Sequence, residues 1–173
     1  MAGINLRART TLAGTISALL VILTAGCAHD SPTAAPSTPG SAAATSTPGE
    51  ATAQARGVDL TVTHAVAHLD RSDDGTLTMT VRNDDGVPEH LGMVATPDRG
   101  RGTLVGGKSA KGNGMLDTAG ILLLDGSSVT FDGDGPHVLL HHVHGITAQH
   151  TLPVVLQFGV AGLVRVRAQV TTA

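Results

Sequence analysis

Apolar and polar residues alternate along most of the chain after Val58. Residues 77–81 read Leu-Thr-Met-Thr-Val, and the same alternation recurs at 152–158 and 164–170. Because successive side chains of a β-strand point to opposite faces, a period of two predicts strands with one buried face. Met79 falls on the apolar face of its segment, and we therefore assign it to the core.

Clusters of Asp, Asn, Ser and Gly separate the alternating segments, as at 72–75, 83–86 and 132–135. Such clusters are typical of tight turns. No segment has the apolar stripe of an amphipathic helix. The sequence predicts an all-β domain at 57–173, a β-sandwich of about eight or nine strands once neighbours merge. The segments that predict strands are 58–66, 76–83, 90–96, 102–106, 115–117, 120–124, 127–132, 136–144, 151–158 and 163–170.

The first 26 residues have the pattern of an export signal. Two arginines precede an apolar run at 12–25, which is shorter than the roughly 20 apolar residues of a membrane-spanning helix. The run ends Leu23-Thr-Ala-Gly-Cys27, and Cys27 is the only cysteine of the chain. This segment resembles a bacterial lipobox, with Thr24 where leucine is usual. We expect a signal peptide at 1–26 and a lipidated Cys27 that anchors the protein to the cell membrane outside the cytoplasm. An uncleaved anchor or a plain secretory peptide are the alternatives.

Residues 27–56 consist mostly of Ala, Ser, Thr, Pro and Gly, with no apolar periodicity. A segment of this composition cannot bury enough apolar surface to offset the entropy of ordering it. The sequence therefore predicts a disordered tether between the anchor and the domain.

The composition argues against several functions. The chain has 11 Lys and Arg against 14 Asp and Glu, no basic run, and neither Trp nor Tyr. Nucleic-acid binding relies on basic patches and aromatic stacking, so we expect none. Residues 102–109 match the P-loop pattern, but Arg99-Gly-Arg101 before them is no core strand and the glycine-rich segment after them is a poor helix. Gly126-Ser-Ser128 lacks the elbow of a serine hydrolase. We do not expect an enzyme.

Four of the nine histidines lie within eight residues: His137, His141, His142 and His144. If 136–144 is one strand, the first two face one way and the last two the other. His142 and His144 could then hold zinc or Cu(II).

Imidazole combined with thioether ligands suits copper, and thioether favours Cu(I). Met115 is the best thioether candidate because it follows a glycine-rich loop instead of lying within an alternating core segment. Met93, between Gly92 and Val94, is the second candidate.

From Val58 to Val170 the order of segments resembles the periplasmic copper chaperone A family. The resemblance rests on Leu77-Thr-Met-Thr-Val-Arg-Asn83, His90-Leu-Gly-Met-Val-Ala-Thr-Pro97, Gly135-Pro-His137 and Leu152-Pro-Val-Val-Leu-Gln-Phe158. It implies a Greek-key β-sandwich of the cupredoxin-like or immunoglobulin-like kind that binds Cu(I) outside the cytoplasm.

The family's copper motif is a His, a later Met and a His-x-Met pair, and this chain matches it in part. Val105 stands near the first His position, and Met115 is one residue out of register with the Met. His137 is the His of the pair, but Leu139 replaces its Met. His141 occupies a place where relatives often carry another Met. The resemblance implies Met115, His137 and His141 as copper ligands.

Two functions follow as expectations. The first is an exported, lipid-anchored, monomeric copper chaperone that delivers Cu(I) to a respiratory oxidase or to its assembly factor, or that buffers copper. The second is a β-sandwich module that binds no metal and contacts another envelope protein, which Val105 and Leu139 favour.

Overall fold

The computed structural model describes residues 47–55, 57–84, 86–107 and 112–172. These residues form eleven strands and no helix, which confirms the all-β prediction. The strands are β1 (Ala51–Ala55), β2 (Val58–Leu69), β3 (Gly75–Asn83), β4 (Glu89–Ala95), β5 (Arg101–Val105), β6 (Leu116–Asp117), β7 (Gly120–Leu123), β8 (Ser127–Phe131), β9 (His137–Leu140), β10 (Thr151–Phe158) and β11 (Leu163–Thr172).

Strand β1 lies within the segment predicted to be a tether. It pairs with β2 in antiparallel register, with Ala51 opposite Val62 and Ala55 opposite Val58. Ala51 and Ala53 are buried. The ordered domain therefore begins before residue 57, and the prediction was wrong for 51–55. Alanine contributes little apolar surface, and the surrounding sequence is also rich in Ala and Thr. The alternation of Ala with Thr and Gln in this segment was therefore not recognised as a strand pattern.

The strands close into a barrel, where the sequence predicted the two sheets of a cupredoxin-like or immunoglobulin-like sandwich. Seven strands pair in the cyclic order β2, β11, β10, β4, β5, β9, β3 and back to β2. Strand β2 makes the closure possible because it is 12 residues long and pairs with β3 on one side and with β1 and then β11 on the other. β8 extends the barrel from β3, and the β6–β7 hairpin extends it from β4.

The barrel interior is filled almost entirely by aliphatic side chains. Gly102 of β5 faces this interior, where a Cβ would lie 2.5 Å from Cγ1 of Val138. This glycine of the P-loop-like pattern is thus explained by close packing. The largest fully buried apolar side chains are Leu60, Leu69, Leu77, Met79, Leu91, Ile121, Leu123, Phe131, Leu140, Leu152 and Leu156.

One buried carboxylate fixes the turn between β10 and β11. Glu89, 1% exposed, accepts hydrogen bonds from the backbone N–H groups of Val160 at 2.8 Å and of Ala161 at 2.7 Å. It also accepts from the N–H of His90 at 2.7 Å. One side chain thus satisfies three backbone donors, two in the turn and one at the beginning of β4, that would otherwise lack a partner.

The signal peptide predicted at 1–26 and Cys27 lie outside the described residues. No helix in the described part of the chain is long and apolar enough to cross a membrane.

Candidate functional site

His137 begins β9 and lies opposite Val105, the last residue of β5. Two residues further along, Leu139 lies opposite Thr103 of β5 and Thr76 of β3. His137 and Leu139 are half-buried, whereas the alternate residues Val138 and Leu140 fill the barrel. Val105, His137 and Leu139 therefore share one outer face. These residues stand at the first His position and at the His-x-Met pair of the copper motif, but Val105 and Leu139 replace two of its ligands.

The imidazole of His137 is held by the turn that precedes it. The N–H of Gly135 donates to the carbonyl of Asp132 at 2.8 Å, and the Gly135 carbonyl lies 3.2 Å from Nδ1 of His137. A carbonyl can only accept, so this contact requires the proton on Nδ1. In the neutral ring Nε2 then keeps its lone pair, which is the state in which a histidine binds a metal through Nε2.

The glycine loop brings the segment of Met115 beside that of His137. A Cβ on Gly114 would lie 3.4 Å from Cγ of Pro136, the residue before His137, and one on Gly107 would lie 3.0 Å from its Cδ. A Cβ on Gly106 would lie 2.6 Å from Cβ of Leu116. Glycines at these positions permit the close approach of three backbones, those that carry Val105, Met115 and His137.

Met115 is half-buried and its backbone is fixed on both sides. Its N–H donates to the carbonyl of Gly112 at 3.1 Å, and its carbonyl accepts from the N–H of Leu122 at 3.0 Å. Met115 is therefore positioned by β7 and by the turn at Gly112.

His141 lies at the other end of β9 from Met115. An extended chain separates residues 137 and 141 by about 13 Å. Nδ1 of His141 is 3.9 Å from Oδ1 of Asp74, the residue just before β3. The structure thus brings Met115 and His137 to one end of β9 and His141 to the opposite end.

The strand predicted at 136–144 ends at Leu140, which changes the arrangement of the histidines. His142 has a positive φ of 48°, and Val143 is buried. The alternation of faces stops there, so His142 and His144 do not form the predicted pair on one strand face.

Met93 lies on β4, beside buried Val94, which pairs with Gly102. Met93 consequently faces outward, level with Thr103 and Leu139, and β5 separates it from Leu139 by about 10 Å. Within the described residues, no group of three His, Cys, Asp or Glu side chains is close enough to hold a metal ion.

No sequence pattern indicated that Asp74 would contact the histidines. It was assigned only to a turn, yet its Oδ1 accepts the backbone N–H of His142 at 2.7 Å across 68 residues of sequence. The pairing of Gly75 with Leu140 creates this proximity. Only knowledge of the strand order could have identified it.

The turn that holds Asp74 is itself organised by Asp70. The hydroxyl and the N–H of Ser72 and the N–H of Asp74 all donate to Oδ1 of Asp70. These hydrogen bonds, led by the Ser72 hydroxyl, hold the pKa of Asp70 below its ordinary value of 3.8. Hydrogen bonds to the charged form stabilise the carboxylate at neutral pH.

No protein-family model matches the chain, and no curated protein matches it in sequence. Among solved structures, the copper-bound PCuAC domain from PmoF2 is similar, with 22% identity and a TM-score of 0.55 over 70% of this chain and 98% of that one. The fold is that of PCuAC domains. The apo PCuAC domain of PmoF2 matches at 21% identity and a TM-score of 0.54, over 70% of this chain and 94% of that one.

The apo PCuAC domain from PmoF1 matches at 20% identity and a TM-score of 0.52, over 70% of this chain and 99% of that one. At identities this low, the structural similarity shows the fold alone. The metal bound by one of these domains is a property of that domain.

Proposed function

We propose that the protein is an exported, lipid-anchored Cu(I)-binding protein with a PCuAC-like domain, and that His137 and Met115 supply its imidazole and thioether ligands. The observation that carries the proposal is the hydrogen bond from Nδ1 of His137 to the carbonyl of Gly135, 3.2 Å long. It leaves Nε2 with a lone pair on a half-buried outer face beside the segment of Met115.

The donor set fits a soft monovalent ion better than a hard divalent one. Thioether sulfur favours Cu(I), and imidazole binds copper in either state. Since Val105 and Leu139 contribute no donor atoms, the site has two protein ligands where the copper motif has four. We expect weaker binding than a complete motif would give, which suits buffering or transfer of copper more than permanent retention.

His141 is not part of this site in the proposal. Its side chain lies at the Asp74 end of β9, 3.9 Å from that carboxylate. Met93 faces the same side as Leu139 and is the alternative thioether.

The anchor and the delivery step complete the proposal. Lipidation of Cys27 would hold the barrel on the outer side of the cell membrane through the chain before β1. A respiratory oxidase, or a factor that assembles one, is the proposed acceptor of copper.

The test is a titration of the purified full-length chain with Cu(I) against a chromogenic competing chelator, under anaerobic reducing conditions. We expect one Cu(I) per chain, with affinity about tenfold or more weaker after His137→Ala or Met115→Leu. His144→Ala is the matched histidine control and Met93→Leu the matched methionine control, and both should bind as the wild type does. Equal affinities for the wild type and His137→Ala would overturn the proposal.

A second function is supported by the side chains that replace the ligands. Val105 and Leu139 are apolar, and Leu116, beside Gly106, is 44% exposed. Apolar side chains that are exposed or half-buried in this way could contact another envelope protein without metal. In that case the protein would not compete with the chelator for Cu(I). A partner captured from envelope extracts would be lost after Leu116→Asp and unaffected by chelators.

A further inference from the structure

The second cluster of metal-binding side chains lies at the opposite end of β9 from Met115. Nδ1 of His141 and Nδ1 of His142 are each 3.9 Å from the same oxygen, Oδ1 of Asp74. We infer that Asp74, His141 and His142 form a site for a divalent transition-metal ion such as Zn²⁺, separate from the Cu(I) site.

Two consecutive histidines reach one carboxylate only because the backbone turns between them. In an extended strand their side chains would point to opposite faces. The positive φ of His142, 48°, lies in a region that residues other than glycine rarely adopt, and it ends the alternation at this position. Both imidazoles consequently lie beside Asp74.

The carboxylate is fixed before any ion arrives. Oδ1 of Asp74 accepts the N–H of His142 at 2.7 Å, and the N–H of Val143 donates to the carbonyl of Asp73 at 2.9 Å. Val143 is buried and anchors this turn. The N–H of Asp74 donates to Asp70 at 3.2 Å. The position of the Asp74 carboxylate is therefore set by the turn and by the backbone of His142.

Both nitrogen–oxygen distances are close to those of a metal site. A tetrahedral site with bonds of about 2.1 Å places its ligand atoms about 3.4 Å apart, and each Nδ1 lies about 0.5 Å beyond that spacing from Oδ1 of Asp74. At their present spacing these side chains do not yet form a group that could hold an ion. The side chains of His141 and His142 are 55% and 82% exposed, and exposed side chains change rotamer freely on the picosecond to nanosecond scale.

The chemistry of the ligands selects the class of ion. One carboxylate and two imidazoles suit Zn²⁺ or Cu²⁺, whereas the absence of thioether from this set disfavours Cu(I). A surface cavity of about 280 Å³, lined in part by Asp70, Asp74 and Thr171, adjoins the carboxylate and has room for water as a further ligand. His68 lines it too, but its two ring nitrogens contact Thr171 Oγ1 at 2.8 Å and Thr78 Oγ1 at 3.1 Å.

Calorimetric titration of the full-length chain with Zn²⁺ tests the inference. Asp74→Asn keeps an acceptor for the N–H of His142, and His142→Asn suits a positive φ because asparagine adopts it readily. We expect each of these changes, and His141→Gln, to weaken Zn²⁺ binding by about tenfold or more. His144→Ala and His137→Ala are the controls and should leave it unchanged.

The outcome separates this site from the Cu(I) site. Asp74→Asn should bind Cu(I) as the wild type does, so failure of either proposal leaves the other standing. The inference is wrong if His141→Gln and His142→Asn both retain the wild-type Zn²⁺ affinity. Unfolding midpoints equal to that of the wild type would show that the variants are folded.

Discussion

His137 lies directly opposite Val105 in the antiparallel pairing of β5 with β9. The Cβ atoms of such a pair are about 4.5–5.5 Å apart, so a histidine at 105 would present its ring to the same ion as His137. Leu139 is two residues from His137 on the same face, about 6.5–7 Å away. Val105 and Leu139 therefore lie at the two positions where the proposed copper site would need further ligands.

The double variant Val105→His, Leu139→Met should bind Cu(I) more tightly than the wild type, by about tenfold or more, because each change adds a donor. Leu→Met conserves volume and should cost less than about 1.5 kcal/mol in the free energy of unfolding. Competition with a chromogenic chelator measures the gain. Introduced into His137→Ala, the same two changes should give a much smaller gain, and an equal gain would show that the new side chains act independently of His137.

Loss of the Glu89 carboxylate should destabilise the barrel. Glu89→Ala leaves the N–H groups of Val160 and buried Ala161 without their acceptor, at a cost of about 3 kcal/mol or more in the free energy of unfolding. Glu89→Gln keeps one acceptor oxygen and should cost less. Denaturant unfolding gives both values. Asp98→Asn, which changes an exposed carboxylate, is the control and should shift the free energy of unfolding by less than about 0.5 kcal/mol. Equal stability of Glu89→Ala and this control would contradict the role assigned to Glu89.

The turn at 70–74 should be sensitive to acid. Because the pKa of Asp70 is lower in the folded protein than its ordinary 3.8, ionised Asp70 stabilises the fold above that pH. The contribution declines as pH falls through the folded pKa. An NMR titration should show a pKa for Asp70 below 3.8, and Ser72→Ala, which removes the leading hydrogen bond, should raise it. An unchanged pKa in Ser72→Ala would show that the backbone donors alone set its value.

Much of the fold could be predicted from the sequence because alternation is a local property. Each of the predicted segments contains a strand, and Met79 lies in the core as expected. The failures occurred where the local pattern is weak or interrupted. Strand β1 was missed because alanine differs little in hydropathy from the residues around it. The strand at 136–144 was predicted too long because the left-handed backbone conformation of His142 does not alter the hydropathy pattern.

A second interruption affected His64. Strict alternation along the strand predicted at 58–66 would place it on the face of Leu60 and Val62, but the register of β2 against β3 shifts between Thr63 and Val66. His64 adopts a φ of 54° in this bulge and is exposed. A bulge inserts a residue and changes the faces that follow it, so parity counting fails beyond that point.

The sequence could predict only the part of the candidate site whose residues are close together in the chain. His137 and the turn before it are adjacent in sequence, whereas the contact of Asp74 with His141 and His142 depends on how β3 pairs with β9. Barrel closure depends likewise on pairings between distant segments. The expected monomer, membrane anchor and copper acceptor are matters of assembly and location, and they stay predictions.

The parallel pairing of β2 with β11 has a consequence for how the chain folds. It joins segments whose residues are far apart in sequence, as in the contact of Thr171 with His68, 103 positions away. The barrel cannot seal until the ten residues of β11 have been synthesised. Proteins dominated by such distant pairings fold slowly, in about milliseconds to seconds. A newly made chain therefore cannot close its barrel, or bury the apolar faces of β2 and β10 against β11, until this strand has been added.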